Sequence, residues 1–249
     1  MRGFGDPEFF GERYAREYDQ TDWLDPAPAV EFLAGLVPDG GRVLELAAGT
    51  GRVAIPLAER GVAVAGIEGS AAMAEQMRAK PGGASIPVTV GDMADVAVTG
   101  PFALAYLVYN TLFNLPSQER QVDCFRNVAK VLDPGGLFVI ECFIQDLTEF
   151  DRGQRVATRA LTEDSVEMEF LTHDPVAQAV TYQRVTFDAH SATLRPLRLR
   201  YCWPSELDLM ARLAGLRLRE RYADWDRSPF TGESRSHISV YELTAAPGG

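Results

Sequence analysis

The chain has 249 residues, 46% of them apolar and 24% charged, which suits one large α/β core or two small ones. A formal net charge of −11 argues against a nucleic-acid surface, which needs a surplus of Lys and Arg, and favours a small-molecule or neutral partner. No apolar run is long enough to span a bilayer and the first residues lack a signal-peptide core; the three cysteines Cys124, Cys142 and Cys202 form no CxxC pair, so reduced thiols in the cytoplasm are expected rather than disulfides or a zinc site.

Residues 9–19 (FFGERYAREYD) put apolar positions at helical spacing, with Tyr14 and Tyr18 four apart on one face. Asp25-Pro26 offers an N-cap and a first-position proline for a helix over 29–36, stopped by Pro38-Asp39-Gly40-Gly41. Arg42-Val43-Leu44-Glu45-Leu46-Ala47-Ala48-Gly49-Thr50-Gly51-Arg52 then reads as a short strand ending in an acid, a small-residue turn, and the start of a helix that runs from Val53 to Gly61. Such a strand, loop and helix bring backbone N–H groups up to a nucleotide-like ligand.

A second apolar run, 62–67, closes on Glu68, and Ser70 caps a helix through Met73 and Met77 that Pro81 ends. The third strand, 86–90, ends in Gly91-Asp92-Met93; the fourth, 102–109, ends in Asn110. A helix over 118–132 stops at Asp133-Pro134-Gly135-Gly136, and a fifth strand over 137–140 ends at Glu141. Partial alternation over 166–171, 180–187 and 194–201 then predicts antiparallel strands, followed by a helix over 205–213 and strands over 216–222 and 238–243. The fold class expected is α/β: a doubly wound, mostly parallel Rossmann-like sheet with helices on both faces and an antiparallel β insertion near residues 165–202.

In such a sheet, ligands sit beyond the carboxyl ends of the strands, where the strand order reverses. A dinucleotide fingerprint needs glycine at the positions of Ala47, Gly49 and Arg52; only Gly49 complies, and Arg52 would crowd the helix–strand contact, so NAD(P) and FAD are disfavoured. The loop instead resembles the cofactor loop of class I S-adenosylmethionine-dependent methyltransferases: an acid, then small-x-Gly-x-Gly, as in Glu45-Leu46-Ala47-Ala48-Gly49-Thr50-Gly51. The likeness continues in Glu68-Gly69-Ser70 after the second strand, Gly91-Asp92-Met93 after the third and Asp133-Pro134-Gly135-Gly136 before the fifth. Ala47 departs from the family pattern, which has glycine there.

The resemblance implies S-adenosylmethionine as cofactor, S-adenosylhomocysteine as product, and a set of residue roles. Glu45 faces the methionine end, and the backbone from Ala47 through Gly49, Thr50 and Gly51 to Arg52 contacts the amino-acid portion and sugar. Glu68, with Gly69, holds the ribose; Met73 and Met93 flank the adenine and Asp92 accepts from its amino group; Val108 and Tyr109 lie beside the transferred methyl. Tyr14 and Tyr18 belong to a helix that closes over the cofactor. The chain is then one domain: a helical lid over 1–40, a cofactor-binding core over 41–145, a substrate-binding insertion over 146–204, and a helix and strands over 205–249 that complete the sheet.

Methyl transfer from an activated sulfonium proceeds largely by positioning, with a base needed only when the acceptor must lose a proton. Glu141 is best placed for that, with Tyr109 and His190 as further catalytic candidates; His190 also reads as a hairpin-turn residue, and His237 and Asp226 are lesser candidates for a base. Asn110, Phe113, Arg200, Trp203 and Trp225 are the acceptor-binding candidates, although Arg200 also suits a solvated strand face and Trp225 also suits packing of its loop. The expected acceptor is a small molecule with an O or N nucleophile. No metal, nucleic acid or membrane is called for, and a homodimer is left open. Two other readings stand beside this one: use of the bound sulfonium without methyl transfer, in a cyclisation or decarboxylation, and a nicotinamide oxidoreductase.

Overall fold

A computed structural model describes Asp19 and residues 25–244. The helix expected over 9–19, with Tyr14 and Tyr18, lies outside those residues apart from Asp19.

The first half alternates strand and helix. Helix α1 (Ala27–Ala34) leads into β1 (Arg42–Leu46), α2 (Ala54–Glu59), β2 (Ala63–Glu68), α3 (Ala71–Ala79), β3 (Val88–Val90), β4 (Phe102–Leu107), α4 (Gln118–Val131) and β5 (Leu132–Phe143). Local chemistry sets the boundaries. The Ser70 hydroxyl accepts from Met73 N–H and the Ser117 hydroxyl from Arg120 N–H, each satisfying an orphan donor at a helix start. Helix α4 buries Gln121, Cys124, Phe125 and Val128, a stripe at three- and four-residue spacing. Burial of Phe125 and Val128 contributes about 1.5–3 kcal/mol each.

The second half adds β6 (Gln154–Leu161), β7 (Ser165–Asp174), β8 (Ala179–Asp188) and β9 (Ala192–Arg200), which form their own antiparallel sheet in that order. Helix α5 (Pro204–Leu213), β10 (Leu216–Tyr222) and β11 (Ser236–Leu243) return to the main sheet, whose order is β3-β2-β1-β4-β5-β11-β10. Strands β3 to β5 run parallel through this order, and β11 is antiparallel to both β5 and β10. The sheet therefore grows outward from β1 to β3, then restarts on the other side with β4, which makes the carboxyl ends of β1 and β4 the switch point.

Side chains alternate between two layers. Leu44, Leu46 and Leu107 pack with α4, α5 and the insertion's Leu171, Val180 and Leu199. Val43, Leu104 and Val139 pack with α1 and α2 on the other face. Among the described residues no helix is long and apolar enough to cross a membrane, and no group of side chains there could hold a metal ion.

The doubly wound sheet with a separate antiparallel sheet is the fold class that the strand–helix alternation implied. Three elements differ in extent. β6 was not expected: its residues are largely exposed, and it pairs only with β7, so burial imposes little apolar pattern on it. β5 is longer than 137–140, because pairing with β11 continues to Ser236 opposite Phe143; Glu141 is thus inside the strand rather than at its end. β3 shrinks to three residues, as Pro87 has no N–H to lend to a ladder.

Candidate active site

The loop after β1 is bent by three left-handed residues, Ala47 (φ 57°), Gly49 (φ 57°) and Gly51 (φ 80°). A Cβ on Gly51 would lie 2.7 Å from Met77 Cγ and 2.8 Å from Ile55 Cδ1, so glycine there lets the loop sit tight on α2 and α3. Gly49 is different: a Cβ would meet nothing within 4 Å, so this stretch of backbone borders open space. Ala47 adopts the same conformation with a Cβ, at a strain of about 1 kcal/mol. Ala48 N–H donates to Ile67 C=O at 2.8 Å, tying the loop to β2.

Glu68, 8% exposed, completes that tie. Its Oε2 accepts from Gly49 N–H at 2.7 Å and its Oε1 from Ser70 N–H at 2.8 Å. Burial raises its carboxyl above the usual range, and the backbone donors of Ser70, Gly49 and Gly69 oppose that rise. Thr50, fully buried, donates through Oγ1 to Asp19 at 2.6 Å, while Lys80 Nζ reaches Thr50 C=O at 2.8 Å and Asp19 at 2.8 Å. Asp19 is thereby clasped onto the loop. Arg52, at the far end of the loop, and Gly69, just after β2, are half-buried.

Glu45 is the most unusual group in the site. It is 3% exposed, its Oε2 has no hydrogen-bond partner, and burial pushes its carboxyl up to about 8. Tyr106 stands opposite it in register on β4 and is fully buried, with its hydroxyl near the Glu45 carboxyl. That hydroxyl and the Ala54 N–H at the start of α2 favour the ionised form but do not offset the burial, and the nearby Glu68 works against it. Unsatisfied buried polar groups are costly and rare, and they mark places where a ligand supplies the missing partner. A cation-bearing nucleotide fits this set: an orphaned carboxylate oxygen, an open glycine backbone and a second acid one strand away.

Met73 is buried at the start of α3, and Met93 is half-buried against the main core. Asp92 Oδ1 accepts from Ala94 N–H at 2.8 Å, and Oδ2 pairs with Arg120 at 2.9 Å, so both oxygens already have protein partners.

At the end of β4, Val108 is buried and the next two residues, Tyr109 (φ 56°) and Asn110 (φ 63°), are left-handed in succession. Consecutive strained residues of this kind persist only where neighbours hold them. Here Tyr109 N–H donates to Glu141 Oε2 at 2.6 Å, and Asn110 Oδ1 accepts from Phe143 N–H at 2.5 Å. Glu141 Oε1 accepts from Trp225 Nε1 at 3.2 Å, and Trp225 rests edge-on against Phe32 at 5.4 Å. Burial raises the Glu141 carboxyl, against the Tyr109 and Trp225 donors.

Beyond β5 two adjoining hollows, of about 280 and 360 Å³, share Gln145, Asp146 and Arg235. Trp203 and Glu233 line the first; Glu149 and Tyr182 line the second.

Three expected site residues are placed elsewhere. Phe113 is fully buried, edge-on to Phe143 at 5.0 Å, because the short 3-10 turn Thr111–Asn114 folds it into the core rather than toward an acceptor. Arg200 is neither solvated nor free for an anion: it is 7% exposed, with Nη2 on Glu206 at 2.7 Å and Nη1 on Gln121 at 2.5 Å. It joins the insertion to α4 and α5. His190 sits in the exposed β8–β9 turn, about 30 Å along the strand from the end that meets the core. Tyr106 and Gln145 escaped the sequence reading. Tyr106 is one of several apolar-run residues until its register with Glu45 is known, and Gln145 follows β5 with no motif to mark it.

Comparison with known proteins bears on this geometry. A family described as a methyltransferase domain matches residues 43–136, the stretch from β1 to the turn before Leu137. The cypemycin N-terminal methyltransferase of a Streptomyces species is 28% identical over 243 residues, covering 95% of this chain and 98% of the relative. The CcbJ methyltransferase of Streptomyces caelestis superposes with a TM-score of 0.88 at 37% identity, over 96% of this chain and all (100%) of the other. The S-adenosylmethionine-bound CalS10 amino pentose methyltransferase of Micromonospora echinaspora shares the fold, with a TM-score of 0.72 at 19% identity over 93% and 96% of the two chains. Neither a nicotinamide enzyme nor a non-methylating use of the sulfonium is favoured by whole-length relatives that are methyltransferases. The chain belongs to the class I S-adenosylmethionine-dependent methyltransferases, and S-adenosylmethionine is its methyl donor.

Proposed function

We propose that this protein methylates an O or N nucleophile of a small-molecule acceptor held between the ends of β4 and β5 and the inserted sheet. The observation that carries the reading is the orphaned Glu45 carboxylate beside the open Gly49 backbone, at the switch point of the sheet. The bound cofactor supplies a methyl group already activated by its sulfonium. The chain's own part is binding, alignment and exclusion of water.

In this reading Glu45 attracts the ammonium end of the cofactor, and the backbone from Ala47 to Gly49 lies along its amino-acid portion, with Thr50, Gly51 and Arg52 shaping the loop behind. Glu68 keeps lone pairs for the ribose hydroxyls while it braces Gly49 and Ser70, with Gly69 beside it. Met73 and Met93 flank the adenine, and Asp92 contributes there to the extent that Arg120 leaves it free. Val108 and Tyr109 border the methyl. Glu141 holds Tyr109 and Trp225 in place, and its raised carboxyl suits it to take a proton from an acceptor that must lose one. Residues 41–145 act as cofactor core, 146–204 as acceptor insertion and 205–249 as closing strands, while the lid expected over 1–40 lies largely outside the described residues. Nitrogen as the acceptor atom is supported by the full-length relative described as an N-terminal methyltransferase, since a free chain N-terminus is an amine. Cytoplasmic residence is supported by the three buried, unpaired cysteines.

Calorimetric titration with S-adenosylmethionine tests the cofactor half. Mass spectrometry of incubations with candidate acceptors tests the other, where methylated product and S-adenosylhomocysteine should appear together. Conversion of an acceptor with the cofactor unconsumed would overturn the proposal.

A further inference from the structure

The two hollows beyond β5 meet at one side chain. Gln145 is 8% exposed, borders both of them, and its Oε1 has no hydrogen-bond partner, although its Nε2 reaches the Asp146 carbonyl at 3.3 Å. A carboxamide oxygen can only accept, so whatever satisfies it must bring an N–H or O–H. The remaining lining narrows the choice. Asp146, Glu149 and Glu233 place three carboxylates on the walls; Asp146 is paired with Arg235 at 2.7 Å and Glu149 with Arg155 at 2.9 Å, so the balance still holds one acid more than it holds bases. An anionic acceptor would meet a repulsive wall. A cation would find carboxylates, together with the aromatic side chains of Trp203 and Tyr182.

We propose that this double hollow is the acceptor subsite and that Gln145 is its specificity-determining residue: it receives a hydrogen bond from an amine-bearing acceptor, and the acidic walls select amines over alcohols of the same shape. The inference rests on the methyl-transfer reading above and adds the class of acceptor to it. The bound ammonium gives up one proton to solvent or to a carboxylate; the lone pair so freed on nitrogen forms the new bond to the methyl carbon while the carbon–sulfur bond breaks and its electron pair stays on sulfur, leaving a methylated ammonium and a neutral thioether. A volume of about 280 to 360 Å³ admits a single substituted ring or a short chain.

Two matched probe pairs test this: serinol with glycerol, and cyclohexylamine with cyclohexanol, each incubated with S-adenosylmethionine and read as methylated product by mass spectrometry. The expected result is turnover of the amines well above the alcohols. Gln145→Met, which keeps the bulk and removes the accepting oxygen, should raise KM for the better amine about tenfold with kcat little changed. Gln145→Glu, which keeps an acceptor atom in place, should retain or lower that KM, and calorimetric affinity for S-adenosylmethionine should be the same in all three proteins. Amines turned over no faster than alcohols, or not at all by a protein that binds the cofactor, would overturn the acceptor class. An unchanged KM in Gln145→Met would overturn the subsite. Failure of the parent protein to bind S-adenosylmethionine would instead strike the underlying methyl-transfer reading.

Discussion

Glu45→Gln separates what the buried carboxyl costs the fold from what it does for the ligand. Glu45 is 3% exposed with one oxygen unpartnered, and burial pushes its carboxyl from 4.5 up to about 8. Each pH unit of such displacement corresponds to about 1.4 kcal/mol between the two protonation states. For an acid raised in this way the folded protein binds the proton more tightly than the unfolded chain. Its contribution to stability is fully present below pH 4.5 and is lost as pH climbs through 8. At pH 7 that loss is on the order of 3 kcal/mol, and above pH 9 it levels off at roughly 5 kcal/mol. The amide has no proton to lose. Cofactor-free Glu45→Gln should therefore unfold at higher urea than the parent at pH 7, by more still at pH 9, and at nearly the same urea at pH 4.5. In calorimetry the same variant should bind S-adenosylmethionine about tenfold or more weakly, because a charge-assisted bond is gone. A stability gain independent of pH, or none at pH 9, would refute the argument that a desolvated carboxyl sits at the end of β1.

Other variants probe the surrounding parts. Glu68→Ala removes the acceptor for Gly49 and Ser70 N–H and should weaken cofactor binding by about 1.5–3 kcal/mol by calorimetry, with a lower melting temperature as well. Equal affinity in parent and variant would mean that the second strand does not present the ribose ligand. Gly51→Ala forces a methyl group into Met77 and Ile55 at a φ of 80° and should cost about 2 kcal/mol in urea unfolding. Arg200→Met strands the half-buried Glu206 and should destabilise the protein by about 3 kcal/mol while its cofactor affinity stays that of the parent. His190→Ala, at the far turn of the insertion, should leave turnover within about twofold, as surface substitutions away from a site do.

The strands at 62–67 and 102–109 were legible because a parallel strand covered on both faces must be apolar throughout. The acids Glu45 and Glu68 were legible too, since each ends such a run before a turn. Their partners were not. Glu68 meets Gly49 and Glu141 meets Trp225 across long stretches of chain, and only the register of the sheet brings those pairs together. Alternation correctly put Arg200 opposite its neighbours on a strand, yet it carries no information on what that face packs against. Here the face meets Gln121 and Glu206 at the base of the insertion, and the guanidinium becomes an internal tie. Asp92 shows the same gap: its position after β3 was readable, whereas its bond to Arg120 on α4 was not.

The antiparallel run of β11 has a consequence for how the enzyme comes into being. The candidate cofactor residues from Glu45 to Glu141 lie within a segment that a ribosome has released by the end of β5. Trp225, Glu233 and Arg235 emerge later and are brought to the same edge only when β11 zips backwards along β5. On the proposed roles, synthesis thus delivers the donor-side residues before the last of the acceptor-side ones. A nascent chain halted between the two would carry the proposed donor residues while still lacking Trp225, Glu233 and Arg235.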